Sequence, residues 1–398
     1  MNFRTLNDIG DIRGQRVLVR GDLNVPVADG HVSDATRLRA LVPTLLELAD
    51  KGAKVIVLSH FDRPTNGYEE KNSLHRVAKA LSGELGRPIV FVKDCAGPEA
   101  EAEIAQLDGG TVVVCENTRF HKGEEANDPD FAASVAQLGD HYVNDAFSAA
   151  HRAHASTEGI AHLLPSYAGR AMEAELNALE KALGSPTHPV AAIVGGAKVS
   201  TKLDALNHLV TKVDHLMIGG AMANTFLAAR GVAVGKSLCE RDLAPQALAV
   251  LEAADKAGCT IYLPYDVVVA TEFRANAATR VANVHEVRAD EMILDLGPAA
   301  VEALADALKT CATLVWNGPL GAFETPPFEA ATMSLARTVA ALTGAGTLVS
   351  VAGGGDTVAA LAMAGVTPSL SYVSTAGGAF LEWMEGRVLP GVEALRQA

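Results

Sequence analysis

The stretch PVAAIVGGAKVSTKLDALNHLVTKV (189–213) sets the reading of the whole chain. It opens as a short apolar, β-branched run, turns through two glycines, and continues with the spacing of a helix. Strand, glycine turn and helix in that order is the building unit of a parallel sheet. Comparable turns recur after strand-like runs at MIGGAM (217–222), VWNGPLGAFE (315–324), VAGGGDT (351–357) and VSTAGGAF (373–380). Glycine at such a turn lets backbone N–H groups meet a phosphate where a side chain would intrude.

Strand-like runs alternate with helical patterns on both sides of this stretch. Upstream lie RVLVRGDL (16–23), AKVIVLSH (53–60), PIVFVKD (88–94), TVVVCEN (111–117) and HYVNDAF (141–147). Between them run helical patterns such as DATRLRALVPTLLELADKG (34–52) and SLHRVAKALSGELG (73–86). Downstream, HLMIGG (215–220), TIYLPYDVVVA (260–270), TLVWNG (313–318) and GTLVSVAGGG (346–355) read as strands. Helices are expected over 198–213, 244–258 and 328–342. Near-continuous apolar strands separated by helices indicate parallel sheets covered on both faces. The segment GRAMEAELNALEKALGS (169–185) has no flexible linker character and reads as a rigid helical connector. The expectation is two α/β domains joined by a helix.

The first half has no glycine series. Arg20, Arg37, His60 with Arg63, Arg119 and Arg152 follow its strand-like runs instead. Any one of these arginines reads equally well as a structural ion-pair partner; their shared position after successive strands suggests forks closing on a small anion. A polyphosphate on one side and a small anionic acceptor on the other imply phosphoryl transfer across a cleft.

At 398 residues, two domains are the natural expectation. The chain is 49% apolar and 20% charged, with a net charge of −14 that disfavours nucleic-acid binding. A polar start and the absence of long apolar windows predict a cytoplasmic protein with no membrane contact. Cys95, Cys115, Cys239, Cys259 and Cys311 are scattered without CxxC spacing, so free thiols are expected, with neither a disulfide nor a zinc site.

Two motifs are near-misses. GKS (235–237) lacks the P-loop glycine, Arg230 standing in its place, and it follows a helical pattern. GGGDTV (353–358) lacks the last glycine of a dinucleotide fingerprint, which leaves a nicotinamide dehydrogenase without a motif. Asp356 reads either as an N-cap or as a Mg²⁺ ligand beside a phosphate at the helix start. Lys198 and Lys202, four apart, are expected on one helical face, where an anion would offset their poor fit to a helix N-terminus. The pair His151 and His154 lacks an acidic or thiol partner nearby, and Arg152 between them is the better candidate, as an anion ligand.

Assembled in order, VLVRGDLNVP (17–26), SHFDRP (59–64), ENTRFH (116–121), HRAHAS (151–156), GGAKVSTK (195–202), VWNGPLGAFE, GGGDT and VSTAGGAFLEWMEG (373–386) resemble the blocks of the phosphoglycerate kinases over essentially the whole chain. The resemblance implies two Rossmann-like three-layer domains with parallel sheets, separated by a cleft. It implies a phosphoglycerate-binding domain over 1–168, the connecting helix 169–185, and a nucleotide-binding domain over 186–383. The tail from about 384 to 398 would return to the N-terminal domain. The implied reaction is reversible transfer between 1,3-bisphosphoglycerate and ADP, giving 3-phosphoglycerate and ATP with Mg²⁺, by a monomer. Carried over residue by residue, Asp22, Asn24, Arg37, His60, Arg63, Arg119 and Arg152 line the phosphoglycerate side. Gly195, Ala197, Gly219 and Gly220 border adenine and ribose. Lys202, Asn317, Glu324, Gly354, Gly355, Asp356 and Thr357 serve the nucleotide and its metal, with Asp356 as the metal ligand. Lys198 and Arg37 approach the phosphoryl group in transit and are the catalytic pair.

Because the acceptor carboxylate is already a nucleophile, the chemistry needs positioning and charge neutralisation and no general base. Closure would align the ligands and expel water. A catalytically silent relative would have lost Arg37, Lys198 or Asp356, and all three are present. The chain departs from the family pattern at Asp62, where glycine is usual and an acid could pair with Arg63. It departs again at Ala376 and Phe380, in place of a glycine and a serine; alanine tolerates positive φ poorly.

Overall fold

The computed structural model describes residues 3–65 and 67–396. Two compact units divide the chain. One runs to Leu176 and takes back the tail from Val388; the other spans Asn177–Arg387.

In the first unit the strands are β1 (Arg16–Arg20), a small hairpin of β2 (Val27–Ala28) and β3 (His31–Val32), β4 (Lys54–Leu58), β5 (Ile89–Val92), β6 (Val112–Cys115), β7 (His141–Asn144) and β8 (Ser166–Ala168). Six of them form a sheet in the order β5-β6-β4-β1-β7-β8, parallel throughout. Val17, Leu18, Val19, Ile56, Val57, Val113 and Val114 are fully buried, neighbours along a strand included. Successive side chains point to opposite faces, so burial of both explains the unbroken apolar runs. The carboxyl ends of β1, β4, β6 and β7 deliver Arg20, His60, Asn117 with Arg119, and Asp145 to one edge of the sheet.

The returning tail is held by its backbone. Gly391 N–H donates to the Ala150 carbonyl at 2.8 Å, and Asn144 Nδ2 donates to the Gly391 carbonyl at 3.3 Å. A Cβ on Gly391 would sit 3.0 Å from Ala150 Cα, so glycine permits the approach.

The second unit contains β9 (Val190–Val194), β10 (His215–Ile218), β11 (Thr260–Tyr262), β12 (Asp266–Ala270), β13 (Thr279–Asn283), β14 (Met292–Leu296), β15 (Thr313–Asn317), β16 (Val349–Gly353) and β17 (Tyr372–Ser374). Its parallel sheet has the order β11-β10-β9-β15-β16-β17, and β13-β12-β14 form a separate antiparallel sheet. The run 260–270 is therefore two strands in two sheets. Pro264 lies in the break, where a residue without an N–H cannot continue a ladder.

The connector begins as the helix Arg170–Leu179 and widens into a π-type segment, Glu180–Gly184, where the Ser185 N–H reaches the Glu180 carbonyl. Its start is anchored by Arg170, which donates to both Glu47 carboxylate oxygens at 2.7 and 2.9 Å, and by the Met172 N–H on Asp145 Oδ1 at 3.0 Å. Among the described residues no helix is long and apolar enough to cross a membrane, and the cysteines are free.

Candidate active site

On the first unit, cationic side chains gather beyond the sheet edge. Arg20 is 1% exposed and turned inward: it donates to Ser156 Oγ at 2.9 Å, to the Gly21 carbonyl at 2.5 Å and to His60 Nδ1 at 2.8 Å. Its expected place among the anion ligands is thereby corrected, because its donors are spent inside the fold. What it does is fix His60. Arginine can only donate, so Nδ1 accepts and Nε2 carries the proton. Burial first, then the charges of Arg20 and Arg119, hold the His60 pKa well below its ordinary value. His60 is a neutral imidazole at physiological pH.

Arg119, nearly buried, donates to the Asp62 carbonyl at 2.8 Å and pairs with Glu125 at 3.1 Å. His154 beside it is lowered to about 4 by burial, with the Arg119 charge next in weight. Arg152 donates from Nε to His151 Nε2 at 3.2 Å. Arg119 and Arg152 lie close enough to repel each other and to oppose protonation of His60, an arrangement that an anion relieves. Arg37 pairs with Asp22 at 3.1 Å and donates to the Asn24 carbonyl at 2.9 Å. Ser148 Oγ donates to the same Asp22 oxygen, Oδ2, at 2.5 Å. Asn24 Oδ1 in turn accepts the Asp62 N–H at 3.0 Å.

Arg63 is exposed and makes no ion pair with Asp62 among the described residues. Asp62 has φ +54°, the left-handed region that glycine favours and aspartate tolerates. The substitution keeps the turn. Asn117, to which the sequence reading assigned no role, ties these loops together. Its Oδ1 accepts from Phe61 N and Arg119 N, and its Nδ2 donates to the carbonyls of Phe61 and Asn72.

On the second unit, the glycine turns pack backbone against backbone. A Cβ on Gly195 would lie 2.0 Å from the Pro319 carbonyl oxygen, and one on Gly220 (φ +68°) 2.5 Å from that of Gly196. Lys202 clamps the same turns. Its Nζ donates to the Gly195 carbonyl at 2.6 Å, the Asn317 carbonyl at 3.1 Å and Asn317 Oδ1 at 2.5 Å. Asn317 Nδ2 continues to the Gly353 carbonyl at 2.9 Å, and Thr357 Oγ1 accepts the Gly318 N–H at 2.7 Å. Burial lowers Lys202 to about 8, against the opposing charge of Asp356.

Lys198 and Lys202 do not share a helical face. Lys198 is extended and exposed, a 3₁₀ turn follows at Val199–Thr201, and the helix begins only at Leu203. Asp356 is not the N-cap either: Gly354 (φ +97°) caps the helix Gly355–Met363, and Asp356 stands exposed in its first turn, accepting no hydrogen bond among the described residues. The capping reading falls, and a free carboxylate beside a helix N-terminus remains. Ala376 has φ −97°, so alanine there is unstrained. Phe380 is buried over Gly353, where a Cβ would meet its ring at 2.5 Å.

A cavity of about 450 Å³ opens beside these turns. Ala197, Gly220, Glu324 and Asp356 line it. Gly195, Gly219, Lys202, Asn317 and Thr357 hold the turns together, and Lys198, Gly354 and Gly355 do not line the cavity. Its apolar wall, including Leu238, Phe273 and Leu294, was missed in the sequence. Part of it comes from β14 of the antiparallel sheet, which no glycine turn marks.

Known proteins share this layout. The sequence model of the family described as phosphoglycerate kinase matches residues 6–387. The chain is 71% identical over 395 residues to the phosphoglycerate kinase of Rhizorhabdus wittichii, covering 99% of this chain and 100% of that protein. It is 64% identical to that of Zymomonas mobilis, again over 99% and 100% of the two chains. The solved phosphoglycerate kinase of Coxiella burnetii matches with a TM-score of 0.92 and 40% identity, over 99% of this chain and 98% of that one. That of Pyrococcus horikoshii matches at 0.81 and 29%, over 98% of each. Two parallel-sheet units bearing glycine turns and an arginine cluster, matched end to end at this identity, leave one conclusion: the chain belongs to the phosphoglycerate kinase family.

Proposed function

We propose that the reversible phosphoryl transfer of this family, between 1,3-bisphosphoglycerate and ADP, is carried out here by two anion-receiving devices on separate units. The observation that carries this reading is their segregation: guanidinium and imidazole donors on one unit, backbone turns and a lysine clamp on the other.

The phosphoglycerate would be received by Arg63, Arg119 and Arg152 with the His60 Nε2–H, while Asp22 and Asn24 hold Arg37 for the reacting end. The nucleotide would lie along Ala197, Gly220 and Glu324, with its phosphates toward the helix N-terminus at Gly354–Thr357. In the ATP-consuming direction the carboxylate of 3-phosphoglycerate attacks the γ-phosphorus of ATP without a base and ADP leaves; in the other direction the β-phosphate of ADP takes the phosphoryl group and the carboxylate leaves. Arg37 and Lys198 neutralise charge on the phosphoryl group in transit. Lys198 suits this role because its side chain is exposed and makes no ion pair or side-chain hydrogen bond among the described residues.

The Asp356 carboxylate fits a divalent cation: it is exposed, accepts no hydrogen bond among the described residues and adjoins the cavity. Mg²⁺ held there with the nucleotide phosphates would offset their charge. Transfer requires the ligands on the two units to meet in line. We assign the bending to the ends of the helix Arg170–Leu179, and small-angle scattering should show clear compaction with both ligands and less with either alone. Full compaction with nucleotide alone would contradict separate sites. A cytoplasmic monomer accords with this reading.

ATP-dependent turnover of 3-phosphoglycerate, followed in a coupled assay, is the direct test. Absence of turnover in folded protein with Mg²⁺ present would refute it.

A further inference from the structure

A second constellation of side chains lies on the first unit, outside the residues given to phosphoryl transfer. Asp94 and Cys95 follow β5, and His121 ends the 3₁₀ turn Thr118–Phe120 that follows β6. These strands are neighbours, with Val92 opposite Cys115. The pairing brings the two following loops together. One ligand atom from each of Asp94, Cys95 and His121 lies within 4.8 Å of the others.

The group is already organised. His121 Nε2 and Asp94 Oδ1 are 2.7 Å apart, and the Cys95 N–H donates to the same oxygen at 2.7 Å. The His121 ring stacks on Phe131, with centroids 4.9 Å apart and planes at 24°. Cys95 is fully buried, whereas Asp94 and His121 are half-exposed, so the thiol sits inside and the other two face an entry route.

We propose that Asp94, Cys95 and His121 form a binding site for a thiophilic divalent transition metal of the zinc class. Sulfur, imidazole nitrogen and carboxylate oxygen are the ligands of tetrahedral zinc, and three protein ligands leave one position for water. Mg²⁺ prefers an octahedron of oxygens, which separates this site from that at Asp356. Bonds of about 2.0–2.3 Å hold tetrahedral ligand atoms roughly 3–4 Å apart, so a group spread over up to 4.8 Å must draw together on binding. On binding, the Cys95 thiol proton leaves to solvent and sulfur takes the metal. The imidazole coordinates through Nε2 as the neutral ring with its proton on Nδ1, and the carboxylate enters as the anion. The Cys95 N–H on Asp94 and the Phe131 stack then serve as outer supports. The sequence hid the site because its halves sit 27 positions apart. Occupancy would clip the loop after β5 to the loop bearing Arg119, two residues before His121.

Cobalt is the probe. The intact protein, purified with chelator, is titrated with Co²⁺ alone. The expected result is a stoichiometric species with the visible d–d bands of tetrahedral cobalt and a near-ultraviolet thiolate-to-cobalt band, displaced by Zn²⁺. H121A and D94N, at half-exposed positions, should weaken binding by at least the roughly 10–100-fold typical of losing an outer-shell partner. C95S should abolish the thiolate band, and C115S should retain it. If C95S fails to fold, H121A and D94N decide. No thiolate band in the intact protein, or a band unchanged in H121A and D94N, overturns the proposal. Cobalt held only by oxygen ligands gives weak octahedral bands without charge transfer and counts against it equally.

Discussion

Replacing Asp356 with asparagine separates a structural from a chemical carboxylate. The side chain is exposed in the first turn of the helix Gly355–Met363, Gly354 supplies the cap, and the carboxylate accepts no hydrogen bond among the described residues. Its structural worth is therefore limited to the helix dipole and to a screened attraction for Lys202. A negative charge in the first turn is worth about 0.3–1 kcal/mol. For a domain of this size that shifts the melting temperature by about 1–4 °C. A true N-cap would cost roughly 1 kcal/mol or more and leave metal dependence alone. As the metal ligand, Asp356→Asn should lower kcat at limiting Mg²⁺ by about 10²–10³, the cost of losing one electrostatic stabiliser. It should also weaken the magnesium–nucleotide complex more than the free nucleotide. Thermal melts beside Mg²⁺ titrations of activity, and nucleotide titrations with and without the metal, measure both effects. A large loss of stability with an unchanged magnesium curve would refute the reasoning.

Arg37→Ala should cut turnover by about 10²–10³ while ADP affinity stays near its original value, since Arg37 lies on the first unit with Asp22 and Asn24; near-normal turnover in steady-state assays would remove it from the reaction. Gly195→Ala should cost about 1–3 kcal/mol by chemical denaturation and reduce stabilisation by added ADP, because its Cβ would meet the Pro319 carbonyl oxygen at 2.0 Å and a backbone atom cannot swing aside. Asp145 is buried, and burial raises it from 3.8 to about 6. A carboxyl whose folded pKa is raised stabilises fully below about 4, and that stability is lost as pH rises through about 6, for a total of about 2–3 kcal/mol. Asp145→Asn should flatten this part of the profile in urea denaturation at pH 4, 6 and 8, and an unaltered slope would count against the assignment.

The parallel sheets were legible because their strands are buried on both faces, which leaves unbroken runs such as Val17–Val19 and Val112–Val114. The glycine turns were legible for a related reason: backbone packed on backbone excludes every other side chain. Where the reading failed, the deciding interaction was long-range. An apolar run says that 260–270 is buried, but not that its two halves serve different sheets. Helical spacing continues through Lys198 on paper, yet the segment bends away to let Lys202 reach the Gly195 and Asn317 carbonyls. Arg20 looked like its neighbours in sequence, and its bonds to His60, 40 positions away, and Ser156, 136 positions away, show that it is spent within the fold. Asp62 raised a question about charge that its left-handed backbone turns into one about conformation.

Lys202 shows how frame and chemistry are joined on the nucleotide side. Its three acceptors use all three protons of an ammonium, whereas a neutral amine could serve only two. The clamp on the turns after β9 and β15 is therefore complete only when the lysine is charged. Burial works against that charge and brings the pKa down to about 8, while Asp356 works for it. At neutral pH the ammonium form still prevails, by a margin of about 1.4 kcal/mol per pKa unit. A cation so placed adds to the positive end of the helix Gly355–Met363 and favours phosphate oxygens beside it. Asp356 offsets part of that positive charge, and as the proposed metal ligand it would be free for Mg²⁺ once nucleotide phosphates took over the compensation.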